Sequence, residues 1–178
     1  MTETIIGERA ELLAALTQSR YFLRNTTRDL TDEQAAGCPT VSTLCLGGLI
    51  KHVARTESGW VDFILEGGSA MAQDGKDWID WDESDWAKRE AEFRMLPGET
   101  LSGLLEHYER VAQRTEEVVA SLPDLDISHE LPVAPWFEPG TRISARRVLM
   151  NLIAETAQHA GHADIIREAI DGAKAWGS

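Results

Sequence analysis

The sequence predicts an all-α protein, a four-helix bundle with a long crossover between its second and third helices. Apolar residues recur at spacings of three and four in four separate stretches, each of them long enough for a helix. The break between the second and third stretches, residues 67 to 97, is too long for a simple hairpin connection. With 178 residues the chain has the length of one domain, which we expect to span residues 1 to 178.

The first two bundle helices have identifiable limits. Residues 5 to 29 carry the first apolar stripe and are predicted to form the first helix. The segment Thr31 to Gln34 has the form of a capping box and predicts one short helical turn. Ser42 or Thr43 is expected to cap the second long helix, which runs to about Glu66.

The long crossover carries many acidic residues among Trp78, Trp81 and Trp86. Tryptophans interleaved with acids indicate rings that pack over the bundle while the carboxylates face water. We expect a short helix around residues 84 to 93. A functional alternative is that the crossover forms a lid over a site.

The second half of the chain predicts two further helices. Residues 99 to 122 form the third, and residues 123 to 143, which contain several prolines, predict an irregular link that covers one end of the bundle. Ser144 is expected to cap the fourth helix, which runs to Asp171.

Charge and composition limit the classes of function. A net charge of -13 without a Lys/Arg stripe disfavours nucleic acid as a partner. No run of about 20 apolar residues is present, and the start of the chain lacks the order of a secretory signal, so we expect a cytoplasmic protein that does not bind membranes. Cys38 and Cys45 are expected to be free thiols in a reducing compartment.

A group of ionisable residues near the C-terminus lies where the core should be. Glu155, His159 and His162 share a helical face with apolar residues such as Leu152 and Ile166. A carboxylate that faces a bundle interior loses hydration unless a charge or hydrogen bonds replace it. Two imidazoles and one carboxylate within two turns indicate a divalent metal ion. The alternative is structural: an arginine would pair with Glu155, and the histidines would be hydrogen-bonded core residues.

A third metal ligand has to come from another helix. His52 is the best candidate, because it is the remaining histidine placed near an apolar face within a long helix. His107 is expected at the surface, and His129 has no assigned partner. Three protein ligands would leave an open position for water or substrate, as in catalytic zinc sites.

The sequence resembles the DinB-like superfamily of metal-binding four-helix bundles. The resemblance rests on His52 in LIKHVARTE and on Glu155 and His159 in ETAQHAGHAD, and it extends to the order and spacing of the helices. It is strongest toward the branch that includes mycothiol-dependent maleylpyruvate isomerase and other low-molecular-weight-thiol S-transferases. This resemblance implies His52, Glu155 and His159 as metal ligands and mycothiol as a cosubstrate. Zinc is the metal that we expect, with nickel as the alternative.

His162 departs from the family pattern, in which Gln or Asp is common at this position. It is interpreted either as a fourth ligand or as a catalytic acid/base group. Asp164 points off the ligand face and is expected to contact solvent or Arg167 rather than the metal.

The resemblance implies a thiol S-transferase or isomerase that acts on a small electrophile. A divalent ion lowers the pKa of a coordinated thiol until the nucleophilic thiolate forms near neutral pH. Two alternatives stay open: a metal-dependent hydrolase, and a metal-stabilised binding or stress-response module without catalysis. The sequence also leaves a homodimer open.

Overall fold

Four long helices form the bundle that the sequence predicts. The structure is a computed structural model that describes residues 6 to 71, 76 and 78 to 176. In chain order the helices are α1 (Glu8–Asn25), α2 (Asp32–Ala36), α3 (Leu46–Glu66), α4 (Glu83–Ala91), α5 (Leu101–Ser121) and α6 (Ala145–Asp171). Helices α1, α3, α5 and α6 make up the bundle, so the all-α prediction is confirmed. Within the described ranges, no helix has the length and apolar character to cross a membrane.

Helix α6 packs against both α1 and α3, and α3 packs in turn against α5. The apolar side chains between them form two buried clusters, one containing Leu49, Tyr108 and Ala163 and the other containing Leu16 and Leu149. Each large apolar side chain that is fully buried contributes roughly 1.5 to 3 kcal/mol relative to exposure. The packing of α3 on α6 therefore fixes the relative position of any side chains that project between these two helices.

The helix caps confirm two predictions and correct a third. Thr31 forms a complete capping box at α2, and Ser144 caps α6 through its hydroxyl oxygen. Neither Ser42 nor Thr43 caps α3, because Cys45 does so by accepting a hydrogen bond from the backbone N–H of Gly48. The hydroxyl of Ser42 instead accepts from a backbone N–H in the preceding turn.

Both cysteines are free thiols, as the sequence predicts. Cys45 is buried, and its sulfur also lies 3.8 Å from the carbonyl oxygen of Phe93. Cys38 is exposed and donates toward the carbonyl oxygen of Thr43. Partial burial of the Cys38 thiol and its proximity to Cys45 raise the pKa of Cys38.

The crossover between α3 and α5 is anchored on the start of α3. Its short helix, α4, has a capping box at Asp82 and lies close to the residues predicted from the sequence. Beyond α4 the chain passes directly over Gly48, where a Cβ atom would lie only 1.9 Å from the carbonyl oxygen of Phe93. A larger residue at position 48 would therefore push the crossover away from α3.

The link between α5 and α6 contains a small hairpin that the sequence did not predict. Strand β1 (Ser128–Glu130) pairs antiparallel with strand β2 (Arg142–Ser144), and His129 lies opposite Ile143. Strands of three residues are too short to show an alternating pattern, so the expectation of a fully irregular link was wrong here. The hairpin lies against the end of α3, where Nε2 of His129 is 3.1 Å from the carbonyl oxygen of Ile64.

Candidate metal centre

The packing of α3 against α6 brings three of the predicted site residues together. His52 projects from the middle of α3, while Glu155 and His159 lie one turn apart on α6. The Nε2 atoms of His52 and His159 lie 3.1 Å and 3.2 Å from the same oxygen, Oε1 of Glu155. Among the described residues, His52, Glu155 and His159 form a group in which one donor atom from each lies within 4.8 Å of the others.

The three side chains differ in their access to solvent. His52 is only 2% exposed, and this burial is the main reason that its pKa is lowered, since the imidazolium form would lose hydration. The side chain of Glu155 is 34% exposed. Its hydrogen bonds with His159 and His52 hold the pKa of the Glu155 carboxyl far below its usual range. The carboxylate is therefore ionised at neutral pH, beside two imidazoles.

The donor set fits a divalent cation. Zinc accepts imidazole nitrogen and carboxylate oxygen at about 2.0 to 2.2 Å, so two ligand atoms of one ion are at most about 4.4 Å apart. Both measured distances from an Nε2 atom to Oε1 satisfy this limit. The alternative in which Glu155 pairs with an arginine is not what the structure shows, because both of its ion-pair partners in the described chain are imidazoles.

Phe93 holds the ring of His52 from the side of the crossover. The two rings are stacked, with centroids 4.0 Å apart and planes 25° from parallel. On α6, the ring of His159 meets the ring of His52 edge to face at 4.9 Å. His52 is therefore clamped between the crossover and α6, which restricts the direction in which Nε2 points.

His162 lies behind His159 and not beside the carboxylate. Its Nδ1 atom is 3.4 Å from Nδ1 of His159, the ring nitrogen of His159 that does not face Glu155. Residues that hydrogen-bond this second nitrogen of a metal-binding histidine orient the ring and select its tautomer. The geometry therefore favours contact of His162 with His159 over direct contact with a metal ion.

The remaining candidates lie away from this group. His107 is exposed on α5, as predicted, and His129 belongs to the hairpin. Asp164 accepts a hydrogen bond from the backbone N–H of Ala175, whereas Arg167 pairs with Asp171. Of the two expected partners of Asp164, solvent and Arg167, the structure excludes Arg167, and Asp164 is not among the three donors that group together in the described chain.

A cleft of about 710 Å³ opens beside Glu155, which forms part of its lining. One wall is aromatic and comes from the crossover and the link before α6, through Trp78, Trp81, Trp86, Trp136 and Phe137. The residues of α3 and α6 that line the cleft are small or polar except for Trp60. The crossover tryptophans pack against one another, which the sequence did not predict, and they help to line a space that reaches Glu155. The expectation that the crossover carboxylates face water was wrong for Asp85 and Glu92, which are buried in ion pairs.

A fully buried carboxylate inside the bundle was missed in the sequence. Glu57 of α3 is fully buried and forms an ion pair with Arg20 of α1, and its carboxylate also accepts a hydrogen bond from the hydroxyl of Thr115 on α5. A signal was present, because Glu57 lies four residues from both Val53 and Val61 on the apolar stripe of α3. This is the same pattern that identified Glu155.

Fold and site together define a class of protein: a helical bundle in which two facing helices bring two imidazoles and a carboxylate to one point. The model of the family described as "Mycothiol-S-transferase" matches residues 11 to 172. The chain therefore belongs to the mycothiol-S-transferase family, which confirms the resemblance to the DinB-like superfamily and to its mycothiol branch.

One solved structure is similar to almost the whole chain. It is described as the "conserved protein of locus from Enterococcus faecalis" and superposes with a TM-score of 0.68 at 14% sequence identity. The alignment covers 95% of this chain and 100% of that one, and it supports the fold alone. No curated protein matches the sequence.

Proposed function

We propose that the protein is a metal-dependent transferase that moves a low-molecular-weight thiol, mycothiol, onto a small electrophile. In this proposal His52, Glu155 and His159 hold a divalent metal ion. The convergence of two Nε2 atoms on one carboxylate oxygen, in a chain of the mycothiol-S-transferase family, is the observation that carries the proposal. Zinc is the expected metal and nickel the alternative, since the donor set of two imidazoles and one carboxylate suits both.

Access to the site favours catalysis over a purely structural metal. A structural zinc site is closed by four protein ligands, whereas a catalytic site has three and an open position. The described group contains three donors, and the exposed part of Glu155 faces a cleft large enough for a small molecule. A metal ion that only stabilises the fold would not require this access.

The proposed reaction follows from the chemistry of thiols. A bound divalent ion would lower the pKa of a coordinating thiol, so that the sulfur becomes nucleophilic at neutral pH. In the transfer, sulfur forms a bond to an electrophilic carbon of the second substrate. The leaving group departs with its bonding electron pair, and the thiol proton passes to a base or to solvent. The buried His52 and the neighbouring rings exclude water from one side of the site.

His162 is proposed to act through His159. Its contact with Nδ1 of His159 would hold the His159 ring so that Nε2 faces Glu155. His162 is then a positioning residue, and direct acid/base catalysis by His162 remains the competing prediction.

Transfer of mycothiol to monobromobimane tests the proposal. Wild-type protein loaded with zinc should catalyse transfer, while chelated protein and His52→Ala should lose it together with the bound metal. His107→Ala is the matched control, since His107 is exposed and distant from the group. Equal rates for loaded and chelated protein would overturn the proposal. Metal-dependent ester hydrolysis without any thiol transfer would identify the hydrolase instead.

A further inference from the structure

The two imidazoles of the candidate metal centre are held in different ways. Nδ1 of His159 lies 3.4 Å from Nδ1 of His162. Nδ1 of His52 is buried and has no hydrogen-bond partner within the part of the chain that the structure describes. A histidine that binds a metal ion through one ring nitrogen almost always hydrogen-bonds through the other, and this second contact orients the ring. His52 therefore lacks the contact that His159 has.

An aromatic ring contacts His52 instead of a hydrogen-bonding group. The ring of Phe93 stacks on the imidazole with centroids 4.0 Å apart, and its centroid also lies 6.4 Å from that of the His159 ring. Contact between two ring faces depends on where the ring planes lie. Stacking can therefore hold the imidazole of His52 whichever of its two nitrogens carries the proton.

This indifference to the proton matters, because metal binding changes the tautomer of His52. Without a metal ion, Nε2 donates to the ionised carboxylate of Glu155, so Nδ1 carries no proton. As a metal ligand, Nε2 must offer its lone pair, so the proton has to be on Nδ1. A hydrogen bond from Nδ1 to a carbonyl oxygen would support the second tautomer alone. The stacked ring of Phe93 supports both.

The residues on either side of this ring tie the crossover to α3. The buried carboxylate of Glu92 lies 2.9 Å from the guanidinium group of Arg55. The carbonyl oxygen of Arg94 accepts a hydrogen bond from the ammonium group of Lys51 at 3.3 Å. Arg55 and Lys51 both lie within one turn of His52 on α3. The crossover is therefore fixed at the level of the metal-ligand candidate.

We infer that Phe93 is a positioning residue for His52, and that its ring replaces the hydrogen bond that usually orients a metal-binding histidine. The inference rests on the proposed function in one respect, since that proposal makes His52 a metal ligand. Loss of an orienting contact lowers metal affinity roughly 10- to 100-fold. Phe93 should therefore contribute to metal affinity without contacting the ion.

Zinc titration against a chromophoric chelator tests this contribution. Phe93→Leu should weaken zinc binding about tenfold, because leucine fills space but has no flat face for the imidazole. Phe93→Tyr keeps the ring and should restore most of the affinity. Phe22→Leu is the matched control, since Phe22 is also half-buried but packs on Trp176. Unchanged affinity in Phe93→Leu, equal losses in both leucine variants, or no recovery in Phe93→Tyr would each overturn the inference.

Long-range ¹H–¹⁵N NMR of chelated protein measures the orientation of the ring without any metal. In the wild type, the ring nitrogens of His52 should give the separate shifts of one neutral tautomer with its proton on Nε2. Phe93→Leu should move these two shifts toward each other, because the ring no longer stays in place beside Glu155. Phe22→Leu should leave them unchanged. A fixed tautomer in Phe93→Leu would overturn the inference.

The two experiments separate this inference from the proposed function. Zinc-dependent thiol transfer together with unchanged zinc affinity in Phe93→Leu would overturn the inference and leave the function intact. A wild-type protein that neither binds zinc nor transfers thiol would remove the proposed function. In that case the NMR comparison still decides whether Phe93 positions the His52 ring.

Discussion

Two carboxylates lie on inward faces of the bundle, and their partners give them different chemistry. Glu57 is fully buried and is held by the guanidinium of Arg20 and the hydroxyl of Thr115. Glu155 is partly exposed to a cleft and is held by the imidazoles of His52 and His159. Both satisfy the requirement that a carboxylate inside a protein be paired.

The partners of the two carboxylates differ in whether they have a lone pair of electrons to offer a metal ion. A guanidinium group is permanently charged and has no lone pair to offer, so the cluster around Glu57 cannot bind a cation. A neutral imidazole has one ring nitrogen with a free lone pair, so the group around Glu155 can exchange its hydrogen bonds for bonds to a metal ion. A paired carboxylate thus stabilises the bundle at Glu57, whereas at Glu155 it is proposed to bind a metal ion.

The largest expected effect is a loss of stability when the guanidinium that pairs with Glu57 is removed. Arg20→Ala leaves that carboxylate buried without its partner and should lower the free energy of unfolding by about 3 to 5 kcal/mol. Urea unfolding of chelated protein would measure this, so that no bound metal contributes. Arg24→Ala is the control, because the pair of Arg24 with Glu109 is exposed and should contribute at most about 1 kcal/mol.

If Arg20→Ala and Arg24→Ala lower the free energy of unfolding by the same amount, the ion pair of Arg20 with Glu57 does not carry the expected stabilisation. The double variant Arg20→Met, Glu57→Leu should recover most of the loss, since it removes both charges from the core.

The next effect is metal-linked stability at Glu155. An ion that binds only the native state adds about 2.7 kcal/mol when its free concentration is a hundred times Kd, so chelation should lower the Tm of wild-type protein. Glu155→Ala should remove the difference between loaded and chelated protein, because one of three donors is gone. Calorimetry together with elemental analysis of the same samples would check both expectations. Glu155→Gln should weaken metal binding as well, since the amide discards the charge.

Arg20→Ala supplies the contrast for this experiment. It should melt at a lower temperature but still bind metal, because Arg20 contacts Glu57 and not Glu155. If wild-type protein melted at one temperature with and without chelator, the metal assignment at Glu155 would fail.

The smallest expected effect is at His162. If His162 positions His159, His162→Ala should weaken metal affinity on the order of tenfold. His162→Gln should restore much of it, because the amide keeps a hydrogen-bonding group. Metal titration and thiol-transfer rates on the same preparations would measure these effects.

Two other combinations of metal binding and turnover in the His162 variants would point to different roles. Full metal binding in both variants with turnover lost in both would identify an acid/base role. Metal lost from both variants in proportion to activity would make His162 a ligand.

Much of the fold could be predicted from the sequence, because long amphipathic stripes carry a strong periodic signal. His52 and Glu155 could each be identified as candidates, since both lie on or beside apolar faces, but their pairing across helices was implied by the family resemblance. The cap at Cys45 was not predictable, because thiols are weak acceptors and Ser42 and Thr43 are better capping residues by type. The hairpin was missed since each strand has only three residues.

The Glu57 cluster shows what the sequence pattern alone could not supply. The pattern marks Glu57 as an inward-facing acid, and Arg20 likewise lies on a stripe with Leu16 and Leu23. Their pairing across 37 positions depends on how α1 and α3 are placed across the core of the bundle, which no local pattern fixes. The cleft was missed for a similar reason, because its walls come from segments that are distant in sequence.

The state of the two cysteines has a consequence for a protein proposed to handle electrophiles. The sulfur of Cys45 is buried and hydrogen-bonded at the start of α3, where a reagent cannot reach it without opening the crossover. Cys38 is reachable, but its raised pKa keeps it protonated and therefore a poor nucleophile at neutral pH. Burial of Cys45 and the raised pKa of Cys38 therefore both lower the reactivity of the protein's own thiols toward an electrophilic substrate.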